Sequence, residues 1–233
     1  METNTLDRPH GLMTSELRIL AELVRSSNAK AVLEVGMAFG SSTLAVLGVL
    51  QSIPDGHLTS VDPFQMHPIP PDGGVGTGWG GVGLQNVRNA GLDHKHTWIG
   101  LPDYLALPKL AEEGKRFDFI FIDGYHSLDY AMLDFFFADL LLIPGGMVVF
   151  HDSGSLPVYR ACQFVASNKA YKPVGPPLAL ILENLPKRIA RRAFWLASGQ
   201  DGKYRERRER WKSLAAFVKQ ADGMAEQFVL KGF

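Results

Sequence analysis

Four short apolar runs, each followed at once by glycine, aspartate or histidine, constrain this chain more than any other feature. Ala31–Val35 leads into Gly36, His57–Val61 into Asp62, Phe117–Ile122 into Asp123, and Met147–Phe150 into His151 and Asp152. Such runs are short for helices and, for the most part, too apolar to alternate, which is the pattern of strands buried on both faces. His96–Ile99 reads as a further strand. Between them lie segments with helical spacing. Thr14–Ser27 carries Leu17, Leu20, Ala21 and Val24 on one face, with Thr14 as its expected N-cap. Ser41–Leu50, Leu84–Ala90, Leu128–Leu142 and Val158–Asn168 follow, the third closed by Pro144, Gly145 and Gly146. This alternation predicts an α/β fold: a doubly wound, mostly parallel sheet with helices on both faces.

The whole chain, 1–233, reads as a single domain with three additions. They are the N-terminal helix 14–27, a Gly-rich segment 63–83, and a basic tail 187–233. The segment "PFQMHPIPPDGGVGTGWGGVG" sustains no regular element, and its length suits a lid over a site. Trp79 and His67 within it read equally as a cover for an acceptor and as loop residues. Leu178–Leu182 reads as a strand after Pro176 and Pro177. Trp211, Leu214, Ala215, Val218 and Ala221 give the tail helical spacing. Phe135, Phe136 and Phe137 read as core.

Composition narrows the function classes. With 46% hydrophobic and 21% charged residues the chain is globular rather than disordered. The single Cys162 excludes an internal disulfide and a Cys-rich zinc module and suits a reducing compartment. No signal-like start and no eighteen-residue apolar run is present, so the expected location is cytoplasmic with no membrane span. Net charge is zero but lopsided: 12 Lys+Arg face 19 Asp+Glu before Lys187, and 12 face 5 from there on. The tail, with Arg191, Arg192, Arg205, Arg207, Arg208 and Arg210, reads as a solvated face or subunit contact rather than a nucleic-acid surface. A homo-oligomer through the terminal helices is the corresponding expectation.

Three motifs carry chemistry. The first is Glu34, Gly36, Ala38, Gly40 and Ser42 at a strand–helix junction. Small residues there let a ligand approach the backbone, and the helix N-terminus can hold an anion. The second is Asp62, an acid at a strand end, where two ribose hydroxyls can be bound. A tight turn and an Asp-Pro turn are the plain alternatives. No Walker lysine follows, which argues against ATP hydrolysis. The third joins Asp123 and His126 to His151 and Asp152. Neighbouring strands lie about 4.8 Å apart, so these ends can gather carboxylates and imidazoles into a divalent-metal site. Carboxylates favour Mg²⁺, Ca²⁺ or Mn²⁺, and His favours Mn²⁺, Fe or Zn²⁺; loop-capping acids are the alternative.

Together the strings "VLEVGMAFGSST", "LTSVD" and "FDFIFIDGYHSLDYAMLDFFFADLLLIPGGMVVFHD" resemble the class I S-adenosylmethionine-dependent methyltransferases over roughly 16–152. The last string is most similar to the small-molecule O-methyltransferase branch with D-G-x-H and H-D motifs, whose catechol and macrolide-sugar members use a divalent metal. The resemblance implies a seven-stranded sheet with one antiparallel strand near its C-terminus. It implies S-adenosylmethionine as cofactor, with Mg²⁺ or Mn²⁺, and a small-molecule hydroxyl as acceptor. Glu34, Gly36, Ala38 and Gly40 would flank the cofactor, with Ser42 near its carboxylate. Asp62 would bind ribose, and Gly100 and Leu101 would touch adenine. Asp123, His151 and Asp152 would hold the metal, with His126 as base. His151 stands where the catechol group has a carboxylate, and Pro102 replaces a polar residue beside the adenine. A metal-independent reaction with His126 or His151 as base, and a non-catalytic nucleoside-binding scaffold, stay open.

Overall fold

The computed structural model of the chain describes residues 11–70, 78–175, 197 and 213–222. Among them the strands are β1 (Ala31–Val35), β2 (His57–Val61), β3 (His96–Ile99), β4 (Phe117–Ile122), β5 (Leu142–Phe150), β6 (Tyr171–Val174) and β7 (Ala215–Lys219). The helices are α1 (Thr14–Ser26), α2 (Ser41–Leu50), α3 (Val82–Asn89), α4 (Asp103–Glu112), α5 (Leu128–Leu141) and α6 (Leu156–Asn168). The strands form one sheet in the order β3-β2-β1-β4-β5-β7-β6. Four pairings place β1 to β5 parallel, while β7 runs antiparallel to both β5 and β6. The doubly wound seven-stranded fold with one reversed strand is therefore present.

Side chains of the buried strands alternate between two cores. Val32, Phe119, Phe121 and Val149 pack with Leu20, Leu47 and Val87 under α1, α2 and α3. Leu33, Ile120, Ile122 and Val148 pack with Leu107, Phe135 and Val165 under α4, α5 and α6. This two-sided burial explains why the central strands read as continuous apolar runs. Cys162 is fully buried in the second core, as expected of a packing residue. Of the three consecutive phenylalanines only Phe135 is core, and Phe136 is exposed.

Several expectations are corrected. Ala215 and Val218 belong to strand β7, not to a helical tail: Phe150 to Met147 pair with 215 to 218 and supply the hydrogen bonds that a strand needs. Strand β6 arises at Tyr171–Val174, where Lys172 and Pro173 interrupt any apolar run. The N-cap of α1 is Met13, whose N–H donates to the Glu16 carboxylate at 2.8 Å, and Thr14 is the first helical residue. Helix α4 forms despite Pro108, which sits in its interior. Strand β5 starts at Leu142, five residues early, because the pairing skips between Phe117 and Phe119 and Pro144 to Gly146 are accommodated in that irregularity. Leu178–Leu182, Trp211 and the arginines from 191 to 210 lie outside the described residues.

The Gly-rich segment also ends earlier than expected, since Val82 and Gly83 open α3. Its two described ends are stitched together. Trp79 N–H donates to Phe64 O, Gly80 N–H to His67 O and Gly81 N–H to Gln65 O. Trp79 is buried edge-on against Phe39, with ring centroids 5.1 Å apart. Residues 71–77 of the segment lie outside the described residues. No helix among the described residues is long and apolar enough to cross a membrane.

Candidate functional site

The hydrogen-bond ladder runs one residue past the carboxyl ends of the parallel strands. Asp62 N–H donates to Ile99 O, Gly36 N–H to Val61 O, Asp123 N–H to Val35 O and His151 N–H to Ile122 O. Sheet geometry therefore holds the residues after β2, β1, β4 and β5 in one row, along the edge where α/β sheets bind ligands. A Cβ at Gly36 would lie 2.1 Å from the Asp123 carbonyl oxygen, so only glycine fits between the first and fourth strands there. The turn that follows is held in left-handed backbone at Gly36, Ala38 and Gly40, with φ of 88°, 46° and 84°.

Glu34 and Ser42 sit behind this turn rather than on its surface. Glu34 is wholly buried and accepts hydrogen bonds from Ser42 Oγ at 2.6 Å, Thr43 Oγ1 at 2.7 Å and Ser60 Oγ at 2.7 Å. Burial pushes its carboxyl up to about 7 against the pull of those hydroxyls. The Ser42 hydroxyl is thus committed inward. Asp62 is also turned into the fold. Its Oδ2 accepts Met37 N–H at 3.1 Å, Ala38 N–H at 2.8 Å and the Gln65 amide at 3.2 Å, and its Oδ1 accepts Phe64 N–H at 2.8 Å. A carboxylate offers about four acceptor positions, so the chain's own donors nearly fill it. Gly100 and Leu101 follow β3 beside Asp62 on the same edge, both exposed.

The third constellation converges. One donor atom from each of Asp123, His126, His151 and Asp152 lies within 4.8 Å of the others. His151 Nδ1 is 2.8 Å from Asp123 Oδ1 and 3.6 Å from Asp152 Oδ2. His126 Nε2 is 3.2 Å from Asp152 Oδ2 and 3.5 Å from Asp123 Oδ1. Asp152 reaches inward from a left-handed backbone, φ 48°. Two carboxylates and two imidazoles at this spacing fit a divalent cation of intermediate hardness. Electrostatics agree with mutual attraction. Burial opposes ionisation of Asp123, but His151 and His126 hold its carboxyl below the usual range. Burial likewise opposes the His151 cation, yet Asp123, Glu16 and Asp152 push it up to about 11. The hydrogen bond to Asp123 raises His126, which stays half-exposed at the mouth of the cluster.

Three residues of this edge went unnoticed in the sequence. Glu16, in the first turn of α1, is 2% exposed and 3.5 Å from His151 Nε2. Its position resembles an ordinary helix cap, and only the tertiary fold shows otherwise. Asp134 and Asp103 face each other across Gly124. A Cβ there would lie 3.1 Å from Asp134 Oδ2 and 3.9 Å from Asp103 Oδ2. Asp134 had a signal: it follows Ala131 by three and precedes Ala138 by four, on the buried face of α5.

A family model described as "Methyltransferase domain" matches residues 33–153. The chain is 29% identical over 146 residues to tapetum-specific methyltransferase 1 of Arabidopsis thaliana, covering 61% of this chain and 55% of that protein. It is 30% identical over 126 residues to caffeoyl-CoA O-methyltransferase 1 of Nicotiana tabacum, covering 52% of this chain and 47% of that one. The chain thus spans about half the length of the curated relatives it matches. Among solved structures it resembles an O-methyltransferase from Bacillus cereus in complex with SAH: TM-score 0.60, 18% identity, 91% of this chain and 84% of that one. An O-methyltransferase of tomaymycin synthesis from Streptomyces achromogenes, in complex with SAM, gives a TM-score of 0.61 at 17% identity over 91% and 82%. At that identity the structural likeness concerns the fold.

Proposed function

The chain belongs to the methyltransferase-domain family, and from that premise we propose that it moves the methyl group of S-adenosylmethionine to a small-molecule hydroxyl with a divalent cation as aid. The observation that carries this reading is the cluster of Asp123, His126, His151 and Asp152 on the same strand edge as the Gly36–Gly40 turn. The relatives named as O-methyltransferases and the SAM- and SAH-bound structural neighbours support it.

Methyl transfer needs the acceptor oxygen in line with the sulfonium–methyl bond, and alignment is what a rigid edge supplies. The left-handed turn at Gly36, Ala38 and Gly40, on the same edge, would border the cofactor's methionine end. Asp62 would take a ribose hydroxyl in exchange for the Gln65 amide, and Gly100 and Leu101 would border the adenine. Asp123, His151 and Asp152 would hold Mg²⁺ or Mn²⁺, which would lower the pKa of an acceptor hydroxyl bound to it. His126, exposed at the cluster's mouth, accepts the proton that the hydroxyl loses. A second reading, catalysis without metal, is favoured by one contact: His151 Nδ1 already meets Asp123 Oδ1 at 2.8 Å at the centre of the cluster.

The test is calorimetry followed by turnover. S-adenosylhomocysteine binds the wild type, and Asp62→Ala weakens that binding. Asp123→Ala abolishes Mn²⁺ binding and spares the cofactor. His126→Ala lowers kcat with little change in cofactor affinity. Undiminished turnover after exhaustive chelation selects the metal-independent reading. Absence of S-adenosylhomocysteine binding at millimolar concentration overturns the methyltransferase reading itself.

A further inference from the structure

The metal reading leaves one buried charge without a task. Glu16 lies 107 residues before Asp123 in the chain, yet α1 delivers its carboxylate to the back of the cluster. A glutamate that only caps a helix normally stays in water; this one is 2% exposed. Burying a carboxylate is costly unless it is paired and hydrogen-bonded. Its Oε2 accepts the Met13 N–H at 2.8 Å, and the same oxygen lies 3.5 Å from His151 Nε2. His151 is its one ion-pair partner among the described residues. Its Oε1 is buried with no hydrogen-bond partner within bonding geometry.

The two nitrogens of His151 therefore face different groups. Nε2 faces Glu16 outside the cluster, and Nδ1 faces Asp123 and Asp152 inside it. An ionised carboxylate only accepts hydrogen bonds, and Asp123 Oδ1 at 2.8 Å competes with Glu16 for the imidazole proton; with a cation on Asp123 and Nδ1, the remaining proton would sit on Nε2, where Glu16 would accept it. That leaves the Nδ1 lone pair aimed at the cluster. Metal-binding histidines are commonly held in this way by a carboxylate on the far nitrogen.

We propose that Glu16 is a positioning residue of the cation site, fixing His151 in the tautomer and ring orientation that present Nδ1 to a divalent cation. This rests on the metal reading of the cluster. It makes the helix before β1 part of the centre. Glu16 acts through His151 rather than as a ligand itself.

The experiment uses the full chain and Mn²⁺ or Zn²⁺ as probe. Mn²⁺ affinity is measured for wild type, Glu16→Ala, Glu16→Gln, His151→Ala and the double variant Glu16→Ala with His151→Ala. Loss of such an outer carboxylate typically weakens metal binding about 10- to 100-fold. Glu16→Ala should show that loss with S-adenosylhomocysteine binding kept. Glu16→Gln, which keeps shape and an acceptor oxygen, should recover part of it. In the His151→Ala background the Glu16 substitution should cost nothing further. Nitrogen-15 NMR of the Zn²⁺ form should show the proton of His151 on Nε2 in the wild type and lose that pattern in Glu16→Ala. Equal Mn²⁺ affinity in wild type and Glu16→Ala, an equal loss with and without His151, or a proton on Nδ1 overturns the proposal while the metal site stands. A wild type that binds neither cation overturns the metal reading and this inference together.

Discussion

Asp134 should make the protein lose stability as pH rises through neutrality, and one substitution should cancel that loss. Its side chain is 1% exposed on α5, and neither carboxyl oxygen has a hydrogen-bond partner within bonding geometry. Burial, and then the Asp103 carboxylate across Gly124, push it up to about 9. The folded protein therefore keeps a proton that the unfolded chain releases near the ordinary aspartate value. The stabilisation is complete below the unfolded value, about 3.9, and is lost as pH rises from there through about 9. Between those limits one extra bound proton costs about 1.4 kcal/mol per pH unit. From pH 6 to pH 8 the loss is about 2–3 kcal/mol, or about 5–10 °C in Tm for a chain of this size. Asp134→Asn keeps the shape of the side chain and cannot ionise. Denaturant unfolding of both proteins at pH 6 and pH 8 gives a double difference in which Glu34, His151 and every other titrating group cancels. The variant should be flatter by about 2–3 kcal/mol. Equal pH dependence in the two proteins would refute the claim that Asp134 is folded in its protonated form.

Two further substitutions probe the turn. Glu34→Met should strand the Ser42 and Thr43 hydroxyls, Ser60 keeping His96 Nε2, and cost at least about 2 kcal/mol in denaturant unfolding, at about 1–3 kcal/mol per buried unpaired group. Gly36→Ala should prevent stable folding or abolish cofactor binding, because its Cβ meets the Asp123 carbonyl at 2.1 Å and φ is 88°. Gly48→Ala, in the interior of α2 with nothing within 4 Å, should instead raise stability by about 0.5–1 kcal/mol.

The parts of this fold that the sequence discloses are those whose physics is local. Strands β1 and β4 are buried on both faces, so their burial is written as unbroken apolar runs, and the residue after each run is fixed by the ladder. Asp62, Asp123, His151 and Asp152 were legible for that reason. Strand β6 sits at the sheet edge with Lys172 exposed and a proline in its middle, and nothing local marks it. Strand β7 reads AAFVK, a run compatible with either periodicity; its pairing with β5, 65 or more residues earlier, decides the matter. Gly36 was legible as a close approach, but what approaches it, the Asp123 carbonyl, depends on two strands meeting. Ser42 and Glu34 were expected at the ligand and instead clamp each other, since short polar side chains at a turn do not announce which side of the backbone they occupy.

The acidic balance before Lys187 gains a physical meaning only in three dimensions. Glu16, Glu34, Asp62, Asp103 and Asp134 are all buried, against Lys219 and His151 as the buried basic residues among those described. Each buried acid must be neutralised or hydrogen-bonded. Glu34 is met by three hydroxyls, and Asp62 by three backbone N–H groups and an amide. Asp134 keeps its proton beside Asp103. That disposes of the acids around the turn and behind β4 without any ligand. Glu16, Asp123 and Asp152 remain, and the positive charge they share comes from His151 and from the exposed His126. Were those imidazoles to turn neutral, Asp123 and Asp152 in the cluster and Glu16 behind it would be left uncompensated. A divalent cation there, with the positive sulfonium of the proposed cofactor on the same edge, restores the balance.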